Sequence, residues 1–154
     1  MNELKIGAPA PEFTLATDTI GDIKLADYKG QKVILFFYPK DDTPGCTIES
    51  NEFSALNDEF KAQNCVVIGV SPDGVQSHAK FRSKYGLEVI LASDESHEIL
   101  ATYGVWQVKK NFGKEYMGVV RTTYLIDENA VITQIWNKVK VEGHVQAVLD
   151  TTRT

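Results

Sequence analysis

The chain has 154 residues, of which 43% are hydrophobic and 24% are charged, and this composition predicts one globular domain over residues 1–154 that buries its own core. The formal net charge of −5 and the dispersed basic residues argue against a surface for nucleic acid or an anionic membrane. No apolar run approaches the roughly 18 residues of a membrane span, and the N-terminus lacks the apolar core of a signal peptide.

The first two thirds of the chain alternate between apolar strands and amphipathic helices. The apolar run 33–38 predicts a buried strand, and Phe53, Leu56 and Phe60 share one face of a helix predicted over 49–62. Beyond these we expect a strand over 66–70, a turn over 71–74, a helix over 76–85, a strand over 89–91 and a helix over 95–103. This order calls for parallel strands joined by right-handed crossovers.

The last third of the chain predicts antiparallel pairing. Segments 124–127 and 131–136 flank a short turn and indicate a β-hairpin, and a closing helix is expected over 141–150. Together the elements predict an α/β fold with a mixed central β-sheet flanked by helices on both faces. In such sheets the active site lies beyond the carboxyl ends of the strands.

Cys46 follows the first strong strand and is the leading candidate nucleophile. Thr43 and Pro44 indicate a helix start, with threonine at the N-cap and proline at the first helical position. Cys46 then lies in the first helical turn, where unpaired N–H groups and the positive end of the helix dipole favour the thiolate over the thiol. The thiolate is the reactive form of cysteine.

Four further residues suggest how a reactive Cys46 is supported. Thr43 lies one turn earlier and can offer its hydroxyl to the sulfur or to a substrate oxygen, in addition to capping the helix. Pro39 either shields the sulfur from water or merely ends the strand. Glu49 shares the helix face of Cys46 and would disfavour a thiolate unless it pairs with a cation. Arg121, just before a predicted strand, is the best candidate for that cation, although a solvated edge charge is the commoner role of such an arginine.

The spacing Pro39-x-x-x-Thr43-x-x-Cys46 resembles the active-site signature of peroxiredoxins. The longer segment 37–49 resembles the subfamily called bacterioferritin comigratory protein, or PrxQ. Further segments that fit are GxxAPxF at 7–13, GVSPD at 69–73, YGVW at 103–106 and RTTYLID at 121–127. The resemblance covers nearly the whole chain in order.

The resemblance implies a thioredoxin-like fold and a thiol peroxidase that reduces hydrogen peroxide and organic hydroperoxides. It assigns the peroxidatic role to Cys46, positioning of the peroxide oxygen and stabilisation of the thiolate to Thr43 and Arg121, shielding to Pro39, and orientation of Arg121 to Glu49. It implies no metal, haem or flavin, and no other cofactor. The three histidines, His78, His97 and His144, show no ligand spacing, and we expect them at the surface.

The chain departs from the family at both familiar positions of a resolving cysteine, which are occupied by Asn51 and Arg82. Cys65 is the only other thiol, and the helix expected between it and Cys46 separates the two by roughly 25 Å. A disulfide needs Cα atoms within about 7 Å, so we expect Cys65 to be a buried structural residue.

The sequence therefore predicts a one-cysteine cycle in which an external thiol reduces Cys46. That reductant is a small thiol or a dithiol protein such as thioredoxin or glutaredoxin. Two distant cysteines do not indicate a secreted disulfide framework, so the cytoplasm is the expected compartment. We expect a monomer or a weak homodimer.

Two other functions fit the same residues. A one-thiol disulfide reductase remains open, although Glu49 stands where a dithiol C-x-x-C site would have its second cysteine. A redox sensor that passes the sulfenic acid to a partner also remains open. Trp106 and Tyr116 are candidates for an interface or an organic peroxide pocket, or they pack as ordinary core or loop residues.

Overall fold

A seven-stranded mixed sheet forms the centre of the fold in a computed structural model, which describes residues 4–153. The strands are β1 (Thr14–Thr17), β2 (Asp22–Lys24), β3 (Lys32–Phe37), β4 (Cys65–Ser71), β5 (Ile90–Ser93), β6 (Trp106–Asn111), β7 (Lys114–Val119), β8 (Thr122–Ile126) and β9 (Ile132–Trp136). The sheet order is β2-β1-β5-β4-β3-β8-β9, and β6 and β7 pair separately. Strands β3, β4 and β5 are parallel, whereas the other pairs are antiparallel.

Within residues 4–153, five α-helices and one 3₁₀ helix surround the sheet. They are α1 (Pro44–Ala55), α2 (Asn57–Ala62), α3 (Val75–Tyr85), α4 (Glu98–Thr102), α5 (His144–Thr152) and the 3₁₀ helix Leu25–Tyr28. Helices α1, α2, α3 and α5 supply apolar side chains to the core on one face, and α4 and the 3₁₀ helix supply them to the other. Among residues 4–153, no helix has both the length and the apolar character to cross a membrane.

Strand β3 is buried on both faces because apolar side chains occupy every position after Lys32. Val33, Leu35 and Phe37 point into one core, and Ile34 and Phe36 into the other. A strand covered on both sides needs such a continuous apolar run. The predicted fold class, with its mixed sheet and helices on both faces, is confirmed.

The predicted central strands and the predicted hairpin are present, with ends shifted by a few residues. The helix predicted over 49–62 begins earlier, at Pro44, and is divided into α1 and α2 at Leu56. The helix predicted over 95–103 is only α4, because His97 has a φ of 67° and a helix cannot continue through that backbone conformation.

Other elements differ from the sequence prediction more strongly. The closing helix starts at His144 rather than at 141, after Gly143 with a φ of 73°. The sequence prediction missed β1 and β2 and also the hairpin of β6 and β7. That hairpin turns at Phe112 and Gly113, both with positive φ, a geometry that suits two-residue turns.

The pairing of β3 with β8 positions the candidate site. Phe37 at the carboxyl end of β3 lies opposite Thr122 at the amino end of β8. Residues that follow β3 and residues that precede β8 therefore meet at one edge of the sheet.

Candidate active site

Cys46 lies in the first turn of α1, as the sequence predicts. Thr43 is the N-cap residue with an extended backbone, and Pro44 occupies the first helical position. The first helical hydrogen bond runs from Thr47 N–H to Thr43 O over 2.8 Å. Cys46 is only 1% exposed, so its sulfur lies beside the helix N-terminus and is largely shielded from water.

Arg121 connects Cys46 to Glu49. Its Nη2 donates to Cys46 Sγ over 3.3 Å, and its Nη1 donates to Glu49 Oε1 over 2.6 Å. Gly45 has no side chain to block this approach. A Cβ at position 45 would lie 3.1 Å from Arg121 Nη2, which is closer than an ordinary van der Waals contact. The predicted proximity of these side chains is therefore observed, and the guanidinium offers both charge and hydrogen bonds at the sulfur.

Glu49 is a fully buried carboxyl group with an incomplete set of partners. Burial raises the pKa of Glu49 to about 7, although Arg121 limits the rise. Its Oε2 has no hydrogen-bond partner among the described residues. Burial disfavours the charged form of Arg121 and so lowers its pKa. Glu49 and Cys46 outweigh this effect, and the net change in the pKa of Arg121 is upward. The guanidinium is therefore charged throughout the range in which Glu49 titrates.

We expect Glu49→Gln to change the pH dependence of stability. Since the pKa of Glu49 is about 7 in the folded protein against 4.5 ordinarily, the folded state binds this proton more tightly, and stability falls as pH rises between these values. Glutamine does not titrate. The free energy of unfolding of the variant minus that of the wild type should thus rise by up to about 3 kcal/mol from about pH 4 to about pH 8. Urea unfolding at both pH values measures this, and an unchanged difference contradicts it.

Thr43 and Pro39 lie near Cys46 in sequence, and the structure corrects one expectation for Thr43. Its side chain accepts no hydrogen bond from the N–H groups of the first helical turn; Oγ1 instead donates to Lys40 O over 2.8 Å. The hydroxyl is thereby fixed within the loop, with its lone pairs unused by that bond. Pro39 is half-buried just after β3 ends.

The expectation of surface histidines is wrong for two of the three. His78 and His144 are buried, whereas His97 is half-buried and stacks on Trp106 at 4.1 Å between ring centroids. Helical spacing gave a usable signal for His78, since Phe81 follows it at three residues on the buried face of α3. Among residues 4–153, no group of three or more His, Cys, Asp or Glu side chains is arranged to hold a metal ion.

His144 is a neutral neighbour of the site. Its Nε2 lies 2.8 Å from Thr123 Oγ1, and its ring packs edge-on against Phe53 and Trp136. Burial lowers the pKa of His144 to about 4, and the positive charge of Arg121 adds to this effect. The ring therefore contributes packing and a hydrogen bond rather than charge near pH 7.

The second cysteine lies far from the first. Cys65 begins β4 and pairs with Lys32, the first residue of β3. Cys46 lies beyond the last residue of β3. The length of this six-residue strand, roughly 17–20 Å, therefore separates the two cysteines. Both thiols are free and buried. Burial raises the pKa of Cys65 to about 12, which keeps it a thiol.

The two resolver positions of related proteins hold other residues with other contacts. Asn51 is half-buried on α1. Arg82 donates from Nε and Nη2 to Asp18 over 2.6 and 3.1 Å, and it also donates to the carbonyl oxygens of Leu87 and Val89 over 2.6 and 2.7 Å. Arg82 thus fastens the carboxyl end of α3 to its surroundings.

The sequence model of the AhpC/TSA family matches residues 6–135, and the chain belongs to this family. The site defines its class: a cysteine at a helix N-terminus, contacted by a partly buried arginine, on a thioredoxin-like fold, is the arrangement of a thiol peroxidase.

Curated relatives and solved structures give the subfamily. Peroxiredoxin Bcp of Bacillus subtilis is 45% identical over 148 residues, which is 96% of this chain and 94% of that protein. A PrxQ mutant structure from Xylella fastidiosa superposes with a TM-score of 0.94 at 33% identity and covers 99% of this chain and 98% of that one. Bacterioferritin comigratory protein of Xanthomonas campestris, described for its alkyl peroxide reduction activity, has a TM-score of 0.87 at 35% identity and covers 92% and 90% of the two chains. These similarities support the Bcp, or PrxQ, group of peroxiredoxins.

Proposed function

We propose that Cys46 is the peroxidatic cysteine and that it reduces hydrogen peroxide and organic hydroperoxides in a one-cysteine cycle. The contact between Arg121 Nη2 and Cys46 Sγ, at 3.3 Å, is the observation that carries this proposal. The alkyl peroxide activity described for the Xanthomonas campestris relative supports the organic substrates.

The chemistry is a displacement at oxygen. The Cys46 thiolate attacks the terminal oxygen of the hydroperoxide, an S–O bond forms, and the O–O bond breaks. Cys46 becomes a sulfenic acid, and the leaving alkoxide or hydroxide takes up a proton to give an alcohol or water. Arg121 and the first N–H groups of α1 face the region where negative charge develops, and fixed donors of this kind lower the barrier.

Glu49, Thr43 and Pro39 support this reaction in different ways. Glu49 orients Arg121 through the 2.6 Å contact, so the guanidinium is in place before substrate arrives. Since the proton of Thr43 Oγ1 is used by Lys40 O, the hydroxyl oxygen is an acceptor for the hydroperoxide O–H. To Pro39, half-buried just after the end of β3, we assign the shielding of the sulfur from water.

Reduction of the sulfenic acid requires thiols from outside the chain. A first thiol attacks the sulfenic sulfur, releases water and leaves a mixed disulfide on Cys46. A second thiol then attacks the mixed disulfide and restores Cys46. The reductant is a small thiol, thioredoxin or glutaredoxin. Side-by-side measurement of steady-state peroxide consumption with each of the three identifies it as the one that gives the fastest turnover.

The same assay tests the function itself. We expect many equivalents of peroxide to be consumed per protein with at least one of the reductants. Consumption of one equivalent followed by arrest, with reductant still present, contradicts a peroxidase cycle and favours a redox sensor. A faster reaction with a small mixed disulfide than with peroxide favours a one-thiol disulfide reductase.

We expect Cys65→Ser to leave steady-state turnover almost unchanged. Cys65 lies at the opposite end of β3 from the site and is held as a thiol by burial. The measurement is peroxide consumption by the variant and the wild type with the same reductant. Loss of turnover with a preserved first equivalent contradicts the one-cysteine cycle and makes Cys65 a resolving cysteine between subunits.

We propose that residues 1–154 form a single peroxiredoxin domain, present as a monomer or a weak homodimer in the cytoplasm.

A further inference from the structure

The loop between β3 and α1 is tied to α3 by a buried pair of side chains. His78 Nδ1 lies 2.7 Å from Asp41 Oδ2, and the two side chains are 0% and 3% exposed. Asp41 precedes Thr43 by two positions and Cys46 by five. The tie therefore acts on the segment that fixes where helix α1 begins.

The hydrogen bonds around the pair indicate where its proton lies. His78 Nε2 lies 3.0 Å from Ala92 O, which only accepts, so Nε2 carries a hydrogen. Asp41 also accepts from Tyr38 OH over 2.6 Å and from Ser77 Oγ over 2.8 Å. These two hydroxyl donors stabilise an ionised carboxylate, so the shared proton belongs on Nδ1 and the ring is an imidazolium.

The charged groups facing the ring favour this state. Burial lowers the pKa of His78, but the hydrogen bond and charge of Asp41 outweigh it, Asp73 adds to them, and the net change is upward. Asp73 Oδ2 accepts from Asp41 N–H over 2.8 Å, so both carboxylates belong to one cluster. Tyr38 is neutral, since burial raises its pKa well above the ordinary value. The His78 ring therefore belongs to a cluster with the carboxyl groups of Asp41 and Asp73.

We propose that protonated His78 is a positioning residue for the peroxidase reaction, whose ion pair with Asp41 holds the loop in the place that sets Thr43 and Cys46 against Arg121. This inference rests on the proposed role of Cys46. Since Thr43 Oγ1 is itself bonded to Lys40 O, movement of the loop displaces the hydroxyl and the helix start together. Small displacements of reacting groups carry large rate effects.

A further tie between the loop and α3, besides the contacts of Asp41 with His78 and Ser77, is exposed and contributes little. Asp42, with a φ of 58°, accepts from Lys84 Nζ over 2.8 Å and from Tyr85 OH over 2.6 Å. The Lys84 and Asp42 side chains are 59% and 41% exposed, and exposed ion pairs are weak. This contrast provides a matched control on the same loop and the same helix.

The inference predicts an alkaline loss of positioning. A group whose folded pKa is raised contributes stability that is complete below the unfolded pKa and is lost as pH rises through the folded pKa. When His78 loses its proton, one ring hydrogen remains for two acceptors, Asp41 and Ala92 O. The loop then loses one of its buried ties at high pH.

The test compares two reactions of Cys46 in the wild type and in His78→Asn. The asparagine amide can still donate to Asp41 but carries no charge at any pH. Peroxide oxidation needs a positioned Thr43 and Arg121, whereas alkylation by iodoacetamide needs only the thiolate. We expect the ratio of the two rate constants to fall about tenfold or more in the variant near pH 7. In the wild type this ratio should decline at high pH, whereas in the variant it should be flat.

Controls and a second measurement keep the outcomes distinct. Arg82→Ala removes structural bonds from the same helix, and Lys84→Ala removes the exposed ion pair with Asp42; both should change the ratio by less than about threefold. Nitrogen-15 NMR of the wild-type histidine rings should show His78 protonated on both nitrogens at neutral pH, whether or not the variant folds.

A neutral His78 ring, or an unchanged ratio in His78→Asn, overturns the inference alone. A wild type whose Cys46 does not react with peroxide overturns the proposed function and this inference with it.

Discussion

Cys46→Ser is expected to abolish peroxide reduction while leaving the fold intact. A serine hydroxyl stays protonated near neutral pH, so the variant has no anionic nucleophile beside Arg121 to attack the peroxide oxygen. Serine is close to cysteine in size, and the buried site keeps its packing. The measurement is peroxide consumption under saturating reductant, with circular dichroism and thermal unfolding to establish that the variant is folded.

The matched control for this variant is Cys65→Ser, which changes the same residue type at another buried position. We expect turnover close to wild type in that control and no turnover in Cys46→Ser. A folded Cys46→Ser protein with wild-type turnover contradicts the assignment of the nucleophile.

Arg121→Gln is expected to slow the reaction of peroxide with Cys46 by roughly 10²–10³-fold, the usual effect of removing one donor from a site of developing charge. Glutamine can fill part of the space but supplies no charge to the sulfur. Removing the cation also leaves Glu49 buried without its partner, and at about pH 9, where Glu49 is ionised in the wild type, breaking such a pair costs up to about 3–5 kcal/mol of stability. Stopped-flow oxidation of the reduced protein measures the rate, and urea unfolding measures the stability.

The double variant Arg121→Gln with Glu49→Gln separates these two effects. With no buried carboxylate left uncompensated, the double variant should recover much of the lost stability. The slow reaction with peroxide should persist, because the donor at Cys46 Sγ is still absent. Recovery of the rate together with the stability contradicts a direct role of Arg121 and makes the salt bridge to Glu49 purely structural.

The position of Cys46 at the start of α1 was predictable because it depends only on residues that are close in sequence. The apolar run of β3, followed by Thr43 and Pro44, sets a strand, a short loop and a helix start, and Cys46 falls in the first turn of that helix. The separation of Cys46 from Cys65 follows in the same way from the order of β3, α1, α2 and β4.

The partners of Cys46 depend on contacts that are distant in the chain. Arg121 reaches the sulfur because β8 pairs with β3 in a register that places Thr122 opposite Phe37, and no local pattern encodes that register. From the residues alone Arg121 was the best candidate for a cation beside Glu49, and the resemblance to peroxiredoxins strengthened that assignment. By contrast, the spacing of His78 from Phe81 on α3 signalled its burial, but no local pattern indicated its partner Asp41, which lies 37 residues away on the active-site loop.

The capping of α1 by the Thr43 side chain was also wrong for a physical reason. The Thr43 side chain is oriented toward the loop, where its hydroxyl donates to the Lys40 carbonyl, and its oxygen accepts no hydrogen bond from the first turn of α1. The late start of the helix predicted over 95–103 has a similar cause. The Asp94 carboxylate accepts from Leu100 N–H over 2.8 Å, which stabilises a turn at 94–97 in place of a further helical turn.

The central claim is that peroxide oxidises the sulfur held between the start of α1 and Arg121. One equivalent of hydrogen peroxide added to the reduced protein, followed at once by a sulfenic-acid trapping reagent and peptide mass spectrometry, tests it most directly. The account predicts that the trapped adduct lies on Cys46 and that Cys65 is recovered as a free thiol. An adduct on Cys65, or an unmodified Cys46 with peroxide consumed, would contradict it.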